Sequence, residues 1–155
     1  MLDDCNDSRE AWETVETVLK AWLKERRELL IKYAAIAATL DRSVAPEAIN
    51  AGVERLCQLL VDYVSAGHFE VYYALQREAE AFKDGSEEIS AAIIPSITDT
   101  TDVILGFEEK YPAEDTSALE SDLSLLGEVL ESRFALEDRL IAALHSSHAE
   151  SSRAG

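Results

Sequence analysis

Four side chains able to carry a charge or move a proton stand where helical periodicity asks for apolar ones. Arg26 lies one turn after Trp22 and one turn before Leu30, on a stripe otherwise made of Trp12, Val15, Val18, Leu19, Tyr33 and Ala37. At about 100° per residue, Glu137 falls directly over Leu119 at the centre of another apolar stripe, with Arg133 at its edge. His68 falls on the inner face of its own segment beside Val71 and Leu75. An isolated buried charge is costly, so these groups must meet one another or line a wet cavity. The spacing predicts a charge-lined pocket inside a helical bundle; the plainer alternative is that the long Arg and Glu chains snorkel out at the stripe margins.

Histidine, glutamate and arginine converging on one cavity is a proton-transfer constellation. The rest of the chain offers little to an enzyme: it has no nucleophile elbow, no glycine-rich phosphate loop and no Glu-x-x-His pair of the kind that carries a di-iron site in bundles. His145 and His148 are at i and i+3 but at the end of the last predicted helix, without a carboxylate partner on another predicted helix. Cys5 and Cys57 form neither a disulfide framework nor a metal-ligand spacing, which suits a reducing compartment. No metal and no cofactor is expected, and a binding protein is favoured over a catalyst.

A second irregularity points outward. Asp62 lies opposite the Val53, Leu56, Leu60 stripe, and Ser65 and Phe69 follow it at i+3 and i+7 if the helix continues through Gly67. An aromatic anchor beside a carboxylate is what protein interfaces enrich. If Gly67 instead breaks the helix, Phe69 rotates into the core.

The elements that position these residues are helices. Asp7 and Glu10 form a capping box ahead of a first helix of about thirty residues. A short polar connection, Asp41 to Ala45, leads to Pro46 in the first turn of the second helix. Gly67 caps or kinks that helix, and a third segment runs on to Asp84-Gly85. Ser86 caps a fourth helix carrying Ile89, Ile93, Ile97, Ile104 and Phe107, with Pro95 as a kink, up to Tyr111-Pro112. Ser117 and Glu120 open a fifth as a second capping box, and the residues after His145 read as a flexible tail. The expected fold is all-α, an antiparallel up-down bundle with a four-helix core and a kinked or broken second/third helix: one domain over 1–145 and a tail over 146–155.

Composition narrows the partner. Thirty-one acidic against 14 basic residues give a net charge of -17, the wrong sign for phosphate contacts or an anionic membrane surface. A partner with a basic surface is favoured, because complementary potentials steer encounter. The acidic start MLDDCNDSRE is unlike a signal peptide and no stretch approaches 18 uninterrupted apolar residues, so the chain is expected in the cytoplasm.

Three segments are more specific than any periodicity: LCQLLVDYVSAGHFEVY from Leu56 to Tyr72, WLKERRELLIKY from Trp22 to Tyr33, and GEVLESRFALEDRLI from Gly127 to Ile141. They closely resemble the Rsd/AlgQ family, the regulators of sigma D and the alginate regulatory protein of pseudomonads. The resemblance implies an α-helical anti-sigma factor that binds the primary sigma factor of RNA polymerase through its C-terminal domain, a basic helix-turn-helix module reading the -35 element. It places Asp62, Ser65, His68 and Phe69 at or beside the sigma interface, and Arg26, Arg133, Glu137 and Asp138 among the interior and rim charges. It also allows further regulatory protein partners, such as a phosphotransfer carrier or a nucleotide-stress enzyme. The alternative reading is a helical regulator whose charged pocket takes a small ligand.

Overall fold

The computed structural model describes residues 2–40, 42 and 45–149, with side chains from Asp7 onward. Its elements are α1 (Leu2–Thr39), α2 (Pro46–Ala66), a π-helical turn (Gly67–Val71), α3 (Tyr72–Phe82), α4 (Ser86–Lys110), α5 (Leu119–Leu144) and a 3-10 turn (Ser146–His148). No strand occurs among the described residues.

Each long helix buries a stripe spaced alternately at three and four residues. On α1 these are Val15, Leu19, Trp22, Leu29 and Ile36, and on α5 Leu119, Leu123, Leu126, Leu130, Leu140 and Leu144. The pairings make the neighbours antiparallel. Ile36 lies against Gly52, and Trp22 donates from Nε1 to the Tyr63 carbonyl at 3.1 Å, so α1 runs against α2 and its continuation. Cys57 faces the Tyr111 carbonyl and His68 faces Thr101, while Tyr111 pairs with Asp122 and Arg133 with Ile97. The result is an up-down-up-down bundle in which α2, the π turn and α3 together form one side.

Gly67 neither caps nor breaks this composite helix. Its backbone stays right-handed helical (φ -56°, ψ -56°), and the Tyr72 amide reaches back to the Gly67 carbonyl, an i to i+5 bond. The reason for glycine is room: a Cβ here would lie 3.1 Å from the Tyr72 hydroxyl and 3.3 Å from Trp22 Cζ2. Gly67→Ala would recover about 1 kcal/mol of helix propensity against about 1–3 kcal/mol of overpacking. We expect a net loss near 1 kcal/mol in urea unfolding; a gain in stability would show that Trp22 and Tyr72 yield freely.

Several boundaries differ from the sequence reading. α1 starts at Leu2, so Asp7 is inside the helix and caps nothing. The buried stripe of α1 passes through Leu29 and Ile36, while Leu30 is 42% exposed. Ser86 and Ser117 are not side-chain caps: their amides donate to Asp84 Oδ1 and Asp115 Oδ1, at 3.0 and 2.9 Å. An aspartate two residues upstream makes the turn that starts each helix. Residues 146–149 are not tail, since His148 is buried in the 3-10 turn that follows α5. Of the connection after α1, Asp41, Ser43 and Val44 lie outside the described residues, as do residues 150–155 and the Cys5 side chain.

Candidate functional site

The interior charges meet one another across the bundle. Arg133 and Glu137, one turn apart on α5, are fully buried and pair at 3.3 Å through Nε and Oε2. Glu137 Oε1 accepts from the Tyr63 hydroxyl at 2.6 Å and from Arg26 Nη2 at 3.4 Å; Oε2 accepts from the Tyr72 hydroxyl. Arg133 Nη1 donates to the Ile97 carbonyl and to the hydroxyls of Thr100 and Thr101 at 3.3, 2.8 and 3.0 Å. Its Nη2 donates to the Tyr72 hydroxyl at 3.1 Å and lies 3.3 Å from His68 Nε2. A guanidinium only donates, which assigns that nitrogen of His68 the acceptor role. Where the spacing suggested a pocket, these side chains fill the space with their own hydrogen bonds.

Arg26 carries the network to the surface. Its Nε donates to Tyr63 at 3.0 Å, Nη1 pairs with exposed Asp138 at 2.7 Å, and the guanidinium lies 4.7 Å from the Phe134 ring centre. Burial, and then the Glu137 charge, push the hydroxyls of Tyr63 and Tyr72 far above the usual tyrosine range, so both remain donors. Burial also raises the Glu137 carboxyl, against the pull of Arg133, the two hydroxyls and Arg26. Burial and then the Arg133 charge hold His68 below its ordinary value. The arrangement ties α1, α2, α3, α4 and α5 together.

The outer face of the composite helix is different. Phe69 is 81% exposed, Asp62 is exposed and Ser65 is half-buried, so the helix does carry through Gly67 and leave the aromatic outside. His68 alone of the four turns inward, onto Thr101 at 3.1 Å and Arg133. Tyr73, 57% exposed, extends the row one turn beyond Phe69; its spacing of i+4 from Phe69 was the signal available in the sequence. Asp62 borders a groove of about 440 Å³ shared with Glu54, Val61, Glu108 and Tyr111. Burial, then Glu108 and Glu54, raise the Cys57 thiol in its floor to about 11. On the other flank burial, then Asp62, Glu70 and Glu28, raise the Glu25 carboxyl. Asp62 thus stands between the carboxylates of Glu54 and Glu108 on one flank and that of Glu25 on the other.

Sequence reasoning missed two further groups. Tyr63 and Tyr72 read as apolar stripe members, whereas their hydroxyls carry the interior network. Glu78 went unremarked although it stands at i+3 from Leu75, and it is fully buried. It holds both His145 and His148, at 2.5 and 2.8 Å, which corrects the expectation that these histidines lack carboxylate partners on another helix. Among the described residues no group of three or more His, Cys, Asp or Glu side chains is arranged to hold a metal ion, and no helix is long and apolar enough to cross a membrane.

Comparison with known proteins places this bundle. The family described as regulator of RNA polymerase sigma(70) subunit, Rsd/AlgQ, matches residues 1–145. A protein named regulator of sigma D from Yersinia pseudotuberculosis serotype O:1b (strain IP 31758) is 34% identical over 130 residues, 80% of this chain and 77% of its own length. Proteins of the same name from Yersinia enterocolitica serotype O:8 / biotype 1B and Pectobacterium atrosepticum are 31% and 28% identical, covering 80% and 83% of this chain and 78% and 88% of their own. No solved structure matches it significantly. With helical stripes, interior charges and a family match running through residue 145, the chain belongs to the Rsd/AlgQ family of sigma(70) regulators.

Proposed function

We propose that this chain is an anti-sigma factor that binds the C-terminal, -35-reading domain of the primary sigma factor in the cytoplasm and occludes it without chemistry. The observation that carries the reading is the outer face of the composite helix, where Phe69, 81% exposed, and Tyr73, 57% exposed, follow the exposed Asp62 carboxylate, with Glu54 and Glu108 beside it. A helix-turn-helix domain is basic because it meets phosphates. Carboxylates can occupy that surface, while Phe69 supplies the desolvated anchor that a purely electrostatic contact lacks. His68 acts from beneath, holding the helix to α4 through Thr101 and Arg133.

The test is a binding titration against the purified C-terminal domain of the organism's own primary sigma factor. A one-to-one complex is expected, with an association rate that falls as salt is added. Asp62→Ala should slow association and flatten that salt dependence while changing dissociation less, since rim charges act mainly through steering. Folded wild-type protein that does not bind at micromolar concentration would sink the reading.

A further inference from the structure

The C-terminal turn is held to the bundle by a chain of five titratable groups that the sigma-binding reading does not use; His145, His148 and Glu78 are buried, and Glu16 and Asp84 reach them from the surface. His145 lies between Glu78 of α3, 2.5 Å from Nδ1, and Glu16 of α1, 2.5 Å from Nε2. His148 lies between the other oxygen of Glu78, 2.8 Å from Nδ1, and Asp84 of the α3–α4 turn, 2.6 Å from Nε2. Both rings are also clamped by aromatics: Trp12 stacks on His145 at 4.8 Å and Phe82 on His148 at 3.9 Å. The Trp12 indole donates to the His145 carbonyl at 3.3 Å.

All four ring nitrogens face carboxylate oxygens. A neutral imidazole has one N–H and one lone pair, so in this geometry a neutral ring would aim its lone pair at an oxygen lone pair. Only the doubly protonated imidazolium satisfies both of its neighbours. With both rings charged, two positive charges sit among three carboxylates; each proton lost leaves one more uncompensated negative charge in a largely buried site, and such charges are costly.

We propose that residues 145–148 form a proton-held latch, docked onto Glu16, Glu78 and Asp84 while the His145 imidazole carries two protons and released when it loses one. Burial pulls His145 downward, but the hydrogen bonds and charges of Glu78 and Glu16 reverse this and leave it above the ordinary histidine value. The sign follows: stability from this group is fully present below the unfolded histidine value of about 6.5 and is lost as pH rises through the higher folded value. On the acid side the Ser86 contacts, and after them His148, hold Asp84 down at about 2. Its contribution is present above the ordinary carboxylate range and is lost only as pH falls towards that value. The latch is therefore strongest at mildly acidic to neutral pH and opens on the alkaline side.

The experiment is an NMR titration of the full-length chain from pH 6 to 10, reading the protonation of each imidazole nitrogen together with ring-to-ring cross-peaks. We expect both His145 nitrogens protonated at pH 7, with Trp12–His145 and Phe82–His148 cross-peaks that vanish in step with deprotonation while those of Trp22 with Tyr63 persist. Glu16→Gln, on the solvent side of the site, keeps an acceptor but removes the charge and should lower the His145 midpoint by about one pH unit or more. Glu78→Gln should release the turn already at pH 7. Because Glu78 is central and fully buried, its replacement also tests folding, and the Glu16 variant is decisive. A neutral His145 that stays docked at pH 7, cross-peaks that survive deprotonation, or an unmoved midpoint in Glu16→Gln would each overturn the proposal.

Discussion

Arg133→Met is expected to destabilise the fold by about 3–5 kcal/mol, the range for breaking a buried ion pair from one side. The loss comes less from the missing attraction than from what stays behind. Glu137, fully buried, keeps its carboxylate with only the longer Arg26 contact at 3.4 Å as a charged partner. The hydroxyls of Thr100 and Thr101 lose their shared donor. Replacing both members, Arg133→Met with Glu137→Leu, should recover part of the loss because no buried charge of the pair remains. Recovery stays incomplete while the Tyr63 and Tyr72 hydroxyls lack their acceptor, at about 1–3 kcal/mol for each unsatisfied group. Adding Tyr63→Phe and Tyr72→Phe should bring stability close to or above that of the wild type. Urea unfolding of the four proteins measures the series, and an unchanged midpoint for Arg133→Met would show that the ion pair contributes nothing net.

Phe69→Ala is expected to weaken the sigma complex by at least about 2 kcal/mol, the threshold of an interface anchor, which is roughly 30-fold in Kd. The effect should appear as faster dissociation at nearly unchanged association, opposite to that of Asp62→Ala. Stability of the free protein should not fall, because the ring is 81% exposed and packs on nothing that the core needs. Stopped-flow or surface-based kinetics separates the two rates. A variant that binds like the wild type would move the anchor elsewhere on the helix, with Tyr73 the next residue to replace.

Much of the bundle is legible in the chain because each helix writes its buried face at a spacing of three and four. The interruptions at Arg26, Arg133 and Glu137 were legible for the same reason, since a charge on such a stripe has few places to go. The π turn was not, because Gly67 is compatible with a cap, a kink or a continuing helix until Trp22 and Tyr72 are known to press on it. Nor was the role of the two tyrosines, whose rings satisfy the apolar pattern whether or not the hydroxyl finds a carboxylate. The histidine turn was hidden by separation: Glu16 is 129 residues from His145 and Glu78 is 70 from His148. Only the closed bundle brings these ends together. Asp62 could be placed outside from spacing and Phe69 only on the condition that the helix continues through Gly67, whereas Tyr73 emerged as a third member once exposure was known.

Apolar stripes of similar residues are forgiving partners, and a helix sliding by one turn, about 5.4 Å, would find nearly equivalent neighbours. Glu137 removes that freedom. A slip of α5 against the composite helix would take its carboxylate from Tyr63 and Tyr72 together and strand Arg133 away from Thr100 and Thr101. The hidden carboxylate works as a ruler: by gripping Tyr63 and Tyr72 from inside it fixes the register of the helix that carries Asp62, next to Tyr63, and Phe69, three residues before Tyr72, on its outer side, so the placement of the surface row is written in the core.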